Sequence, residues 1–129
     1  DFEGIDETIA MSSMYAANHL GAKVVATLTQ TGKTALWMSR ISSNISIFAM
    51  SDNYKTLKKV TIYRGVYPCY IEKNSADDWH DVNSKVIENL LSKTVVVDKD
   101  IVIVTKGMHK DKSGGTNLMK ILRVGDGNY

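Results

Sequence analysis

Three runs in this chain, KVVATLT (23–29), ISIFAMS (45–51) and DIVIVTKG (100–107), are apolar at most positions rather than at alternate ones. A strand that alternates rests one face on a core and turns the other to water. A run that is apolar almost throughout needs cover on both faces, as strands of a parallel sheet have. That requirement constrains the fold more than any other feature, because it calls for helices above and below one sheet.

The intervening segments supply helices. IDETIAMSSMYAANHLG (5–21) sets Ile5, Ile9, Ala16 and Leu20 on one helical face, and Gly21 is a natural stop. GKTALWMSRIS (32–42) is helix-compatible, and NYKTLKKVTIY (53–63) reads as a short amphipathic helix. In 78–93, Trp79, Val82, Val86 and Leu90 recur at helical spacing. GVYPCYI (65–71) reads as a strand at an edge or ending early, because Pro68 cannot donate to a ladder. NLMKILRV (117–124) alternates Leu118, Lys120, Leu122 and Val124 against its other neighbours and reads as a half-exposed final strand. Residues 94–97 are ambiguous between strand and loop. Strands alternating with helices imply right-handed βα units, and ligands of such sheets sit beyond the carboxyl ends of the strands.

Composition narrows the function. The 129 residues amount to one domain, with 16 basic against 14 acidic side chains, too balanced for nucleic-acid binding by bulk charge. No stretch has the length and apolarity to span a membrane, and no secretory signal pattern is present. The one cysteine, Cys69, has no internal partner for a disulfide, which fits a reducing, cytoplasmic setting. The chain opens on DFEGIDE without an initiator methionine, as expected of a fragment of a longer protein.

Two turns fall on the functional edge of the expected sheet. The first, TQTGKT, holds Thr29, Gln30, Thr31, Gly32, Lys33 and Thr34 between a strand and a helix. Hydroxyl donors, one cation and a glycine that lets the backbone approach are what a phosphate needs. GKT resembles half of a P-loop, but the full pattern needs glycine at position 27, where Thr27 stands, so a nucleotide-hydrolysing loop is disfavoured. The competing reading is a plain helix cap by Thr31 or Thr34. The second turn, KGMHKDKSGGTN (106–117), places Ser113, Gly114, Gly115 and Thr116 after His109, Lys110 and Lys112. It reads as a basic loop that closes over an anion, or as a solvated surface loop.

Other candidates fall away. His19, His80 and His109 lack metal-ligand spacing, and Ser12 and Ser13 lack a nucleophile-elbow context. Asp77, Asp78 and the acidic residues of 98–100 read as turns and caps. The six methionines read as packing. No catalytic or metal-binding constellation emerges.

The segments ETIAMSSMYAANHLGAKVVATLTQTGKTALWMSRISSNISIFAMS, YRGVYP, DIVIVTKG and GGTN, in this order and at these separations, resemble the C-terminal domain of pyruvate kinase. The resemblance covers nearly all of 1–129 as a single domain lacking the catalytic barrel and lid domains. It implies a three-layer α/β/α fold, with a mostly parallel five-stranded sheet and an antiparallel last strand. It implies a regulatory and tetramer-interface role in a homotetrameric phosphotransferase of glycolysis. There the barrel binds phosphoenolpyruvate, ADP, Mg²⁺ and K⁺, and no cofactor belongs to this domain. The family's effector-phosphate loop matches residues 29–34, and its closing loop matches Gly107 through Thr116. Where the family binds a sugar bisphosphate, a tryptophan and a basic residue hold the second phosphate, and Trp79 and Lys85 stand for them here. Their separation is one residue shorter than in such members. Lys33 and Lys85 also stand where arginine is common, and lysine lacks the bidentate fork. A sugar bisphosphate, a sugar monophosphate and AMP remain open as the effector. A free-standing phosphometabolite-binding module and a purely structural oligomerisation domain are the alternative functions.

Overall fold

A computed structural model of the chain describes residues 2–41, 43–72, 78–107 and 116–129. Helices α1 (Phe2–Leu20), α2 (Lys33–Ser39), α3 (Tyr54–Val60) and α4 (Trp79–Ser92) alternate with strands β1 (Val24–Leu28), β2 (Ser46–Ser51) and β3 (Val66–Tyr70), and β4 (Ile101–Gly107) and β5 (Thr116–Arg123) follow. The strands form one sheet in the order β3-β2-β1-β4-β5. β1 runs parallel to β2 and β4, and β2 parallel to β3, while β5 is antiparallel to β4. The α/β class and the antiparallel last strand are as expected. Pro68 lies in β3, an edge strand, where a missing N–H costs no ladder bond on the open side.

Alternation along each strand divides the core into two layers. Val25, Ile47, Ala49 and Ile103 pack with Ala10, Met14 and Ala17 of α1, Ala35 and Met38 of α2 and Val60 of α3. Val24, Ala26, Phe48, Met50, Val102 and Val104 face Val86, Ile87 and Leu90 of α4. The near-continuous apolar runs therefore serve two cores at once. Asn53 and Asp78 cap α3 and α4 by accepting backbone N–H groups, of Lys55 and Thr56 in one case and of Asp81 in the other.

The structure corrects the sequence expectation at two points and settles a third that the sequence left open. α1 does not bury the face carrying Ile5 and Leu20, which are 46% and 42% exposed; its buried stripe is Asp6, Ala10, Ser13, Met14 and Ala17. The polar residues of that stripe misdirected the periodicity, because a helix packed closely on a sheet favours small residues over large ones there. Met11 is exposed rather than packed, whereas Met14, Met38 and Met50 are fully buried. Residues 94–97 form a loop after α4, with Thr94 in a left-handed conformation (φ 56°) and Val96 buried.

Candidate functional site

β1 is followed in sequence by β2 on one side, but β4 lies on its other side, so the order reverses between β1 and β4. Ligands of open α/β sheets collect beyond the carboxyl ends of such a strand pair. Here α2 packs on one face of the sheet and α4 on the other, and the turn 29–34 leaves β1 at its carboxyl end.

Three neighbours hold the turn. Thr29 N–H extends the ladder to the Met50 carbonyl at 3.0 Å. The Thr56 hydroxyl of α3 donates to the Gln30 carbonyl. Gly32 adopts a left-handed conformation (φ 83°) against Val60. Within the turn, Gly32 N–H donates to Thr29 Oγ1 at 2.8 Å, and Lys33 N–H donates to Thr31 Oγ1 at 3.4 Å. A hydroxyl that accepts in this way keeps its own proton to give to a ligand. Thr29, Thr31 and Lys33 are partly exposed and Gln30 is exposed, whereas Gly32 and Thr34 are buried. The helix cap is Gly32 itself, which has no side chain for the task, so neither Thr31 nor Thr34 is the N-cap. α2 is only seven residues long, so an anion at the turn would meet hydroxyls and Lys33 more than a helix dipole.

The structure joins the two predicted turns. Thr34 Oγ1 and Thr116 Oγ1 lie 2.7 Å apart and are both buried, and Gly107 pairs with Thr116 across β4 and β5. Below them, Thr105 donates to Thr27 Oγ1 at 2.8 Å, a second buried hydroxyl pair between β4 and β1. Ser113, Gly114, Gly115, His109, Lys110 and Lys112 lie outside the described residues, as does the Trp79 side chain. Lys85 is half-buried on α4, the layer opposite α2. Trp79 and Lys85 both belong to α4. Among the described residues no group of three or more His, Cys, Asp or Glu side chains gathers as a metal would need. Burial, only partly offset by Lys93, raises the Cys69 thiol pKa, which makes it a poor nucleophile.

Sequence reasoning missed one charged residue. Lys106, at the end of β4, is 3% exposed, and its Nζ donates to Asn83 Oδ1 of α4 at 2.7 Å. A lysine that closes an apolar strand reads as a solvent-facing end. The signal lay in the alternation, since Lys106 shares its face with Val102 and Val104 beneath α4. Burial, reinforced by the Lys120 charge, lowers its pKa from 10.5 to about 8. The unfolded lysine holds its proton to about 10.5 and the folded one releases it near 8, so between those values the unfolded chain binds more protons. The cost of the buried charge is therefore present in full below about pH 8 and relieved above it. Denaturant titrations of wild type and Lys106→Met, taken from neutral to alkaline pH, are expected to show wild type gaining stability relative to the variant. Parallel pH profiles would overturn this.

Residues 7–122 match the family model described as "Pyruvate kinase, alpha/beta domain". The chain is 46% identical over 125 residues to the pyruvate kinase of Buchnera aphidicola subsp. Schizaphis graminum, covering 96% of this chain and 26% of that protein. It is 44% identical over 124 residues to pyruvate kinase II of Salmonella typhimurium (95% and 25%), and 33% identical over 122 residues to the pyruvate kinase of the yeast Debaryomyces hansenii (92% and 24%). The chain thus spans about a quarter of the length of the curated relatives it matches. A match over almost all of the chain, to a domain of the alternating α/β design described above, places it in one family: the chain belongs to the pyruvate kinase family, through its alpha/beta domain.

Proposed function

We propose that this chain is the regulatory and assembly domain of a pyruvate kinase, and that the turn 29–34 binds the phosphate of an allosteric effector. The observation that carries this reading is the Thr34–Thr116 hydroxyl contact, which ties the turn after β1 to the start of β5 at the switch point. A ligand phosphate held by Thr29, Thr31, Gly32 and Lys33 would then be felt at Thr116 through Thr34. Transfer of phosphate from phosphoenolpyruvate to ADP, with Mg²⁺ and K⁺, belongs to the remainder of the polypeptide. The described residues here offer no set of ligands to hold those metals. A cytoplasmic glycolytic setting follows from this identity.

Changing Lys33 to alanine is expected to weaken binding by about 1.5–3 kcal/mol, the size of a charge-assisted hydrogen bond. Lys33 is partly exposed, so stability should move by less than roughly 0.5 kcal/mol. Calorimetric titration of the full-length polypeptide with fructose 1,6-bisphosphate, ribose 5-phosphate and AMP checks this and identifies the effector class. Failure of all three to bind at millimolar concentration would sink the effector reading.

The assembly role is supported by surface. β5 is an edge strand with Ile121 47% exposed, and α1 presents Ile5, Met11, Tyr15 and Leu20 outward. Unpaired strand edges and clustered apolar side chains favour self-association in symmetric oligomers. A homotetramer of the full-length protein, with β5 and α1 as candidate contact surfaces, follows. Sedimentation of the full-length protein should show an assembly that Ile121→Lys loosens. A monomer at every concentration would exclude it.

A further inference from the structure

What a turn offers a ligand depends on which way its peptide planes face, and in 29–34 one plane is held by a side chain from another helix. The Thr56 hydroxyl, on α3, donates to the Gln30 carbonyl. In a trans peptide the carbonyl and the following N–H point in opposite directions. Every peptide among the described residues is trans. With its carbonyl drawn to α3, the Gln30–Thr31 peptide therefore directs the Thr31 N–H away from that helix. Thr29 N–H bonds the Met50 carbonyl, Gly32 N–H bonds Thr29 Oγ1 and Lys33 N–H reaches Thr31 Oγ1. Among the described residues no protein acceptor takes the Thr31 N–H, and Thr31 is partly exposed.

α3 also closes the back of the turn. A side chain at Gly32 would meet Val60, Thr56 and Tyr63, so a ligand reaches the turn from the side opposite α3. That is the side to which the Thr31 N–H is directed. From Thr29 to Gly32, Gln30–Thr31 is the central peptide, the one whose reversal separates type I from type II turns. Without a partner for its carbonyl this plane can turn over and carry the N–H with it. Thr56 is built to prevent that. It is buried, and its own N–H is fixed by Asn53 Oδ1 at 3.4 Å. Branching at Cβ restricts its rotation, so Oγ1 stays on the Gln30 carbonyl while Cγ2 stays against Gly32.

We infer that Thr56 is the positioning residue of the turn: its hydroxyl sets the orientation of the Gln30–Thr31 peptide, and so the N–H with which Thr31 meets a ligand phosphate. Thr56 itself touches no ligand. This rests on the turn being a phosphate site, as proposed above, and adds that α3, which carries none of the proposed ligand contacts, controls its affinity.

The test is calorimetric titration of the full-length polypeptide with fructose 1,6-bisphosphate, ribose 5-phosphate and AMP as probes, alongside thermal unfolding. Thr56→Val keeps the shape and removes the donor. It should weaken the probe that wild type binds by about threefold to tenfold, the value of one hydrogen bond. Thr56→Ser keeps the donor and should restore the affinity. Thr56→Cys, a weaker donor of similar size, serves if the valine variant does not fold. Thr61→Val is the control, since it removes a hydroxyl that donates to the Lys58 carbonyl at 2.7 Å at the end of the same helix, and it should leave affinity unchanged. A merely structural Thr56 predicts a lower melting temperature with wild-type affinity in the folded variant. Retained affinity in Thr56→Val or Thr56→Cys while Lys33→Ala loses binding would overturn this inference and leave the phosphate turn standing. Equal losses in Thr56→Ser and Thr56→Val, or in Thr61→Val and Thr56→Val, overturn it too. Binding of none of the three probes by wild type overturns both readings.

Discussion

Gly32→Ala is expected to destabilise the fold by about 2–4 kcal/mol, the sum of a left-handed backbone penalty and forced overpacking. A Cβ at Gly32 would meet Val60 Cγ1 at 2.8 Å, with Thr56 Cγ2 and Tyr63 Cε2 at 3.7 and 3.9 Å. Val60 is fully buried and branched at Cβ, so it has little freedom to rotate aside. Gly21 provides the control: its φ is 66°, but an added Cβ meets nothing within 4 Å, so Gly21→Ala should cost only about 1–2 kcal/mol. The pair separates conformational strain from collision. Adding Val60→Ala to Gly32→Ala should relieve the collision and leave the strain, although it also opens a cavity of its own. Ligand binding should fail with Gly32→Ala, since displacing this residue breaks its bond to Thr29 Oγ1. Equal, small losses at positions 21 and 32 in denaturant titrations would show that the turn is not packed as described.

Leu90→Ala carries the other large effect, about 2–5 kcal/mol as for fully buried leucines elsewhere. Leu90 has no exposed surface and lies where α4 meets Val24, Val102 and Val104. Among the described residues α4 is the helix that covers this face of the sheet, whereas α1, α2 and α3 share the other. A cavity under a single helix, above a hydrogen-bonded sheet, has few neighbours that can move in to fill it, so the upper half of the range is expected. Leu91 is 42% exposed, and Leu91→Ala should cost well under half as much. Similar losses for the two would mean that α4 is rotated about its axis from the position described.

Much of the fold was legible because the signals were local. The apolar runs at 23–29, 45–51 and 100–107 announced strands buried on both faces, and Pro68 announced an edge. Gly32, flanked by threonines and a lysine, announced a strand-to-helix turn rich in hydrogen-bond donors. Longer-range facts were not legible. Which face of α1 is buried depended on how closely that helix approaches the sheet, and close approach selected Ala10, Ser13 and Ala17 over Ile5 and Leu20. That Thr34 and Thr116, 82 positions apart, share a hydrogen bond depended on β5 folding back beside β4.

By itself the sequence determined the α/β class, the strands and the chemistry of the turn, because periodicity and residue type act within a few positions of the chain. Tertiary structure alone decided the strand order, and with it the switch point between β1 and β4 beside which the turn lies. It also decided the environment of Lys106. At the end of an apolar strand, nothing nearby in sequence distinguishes a lysine in water from one held under a helix by Asn83. Burial and the Lys120 charge arise from segments 23 and 14 positions away, brought together by packing. Electrostatics depends on distance in space, and for this residue only the fold sets that distance.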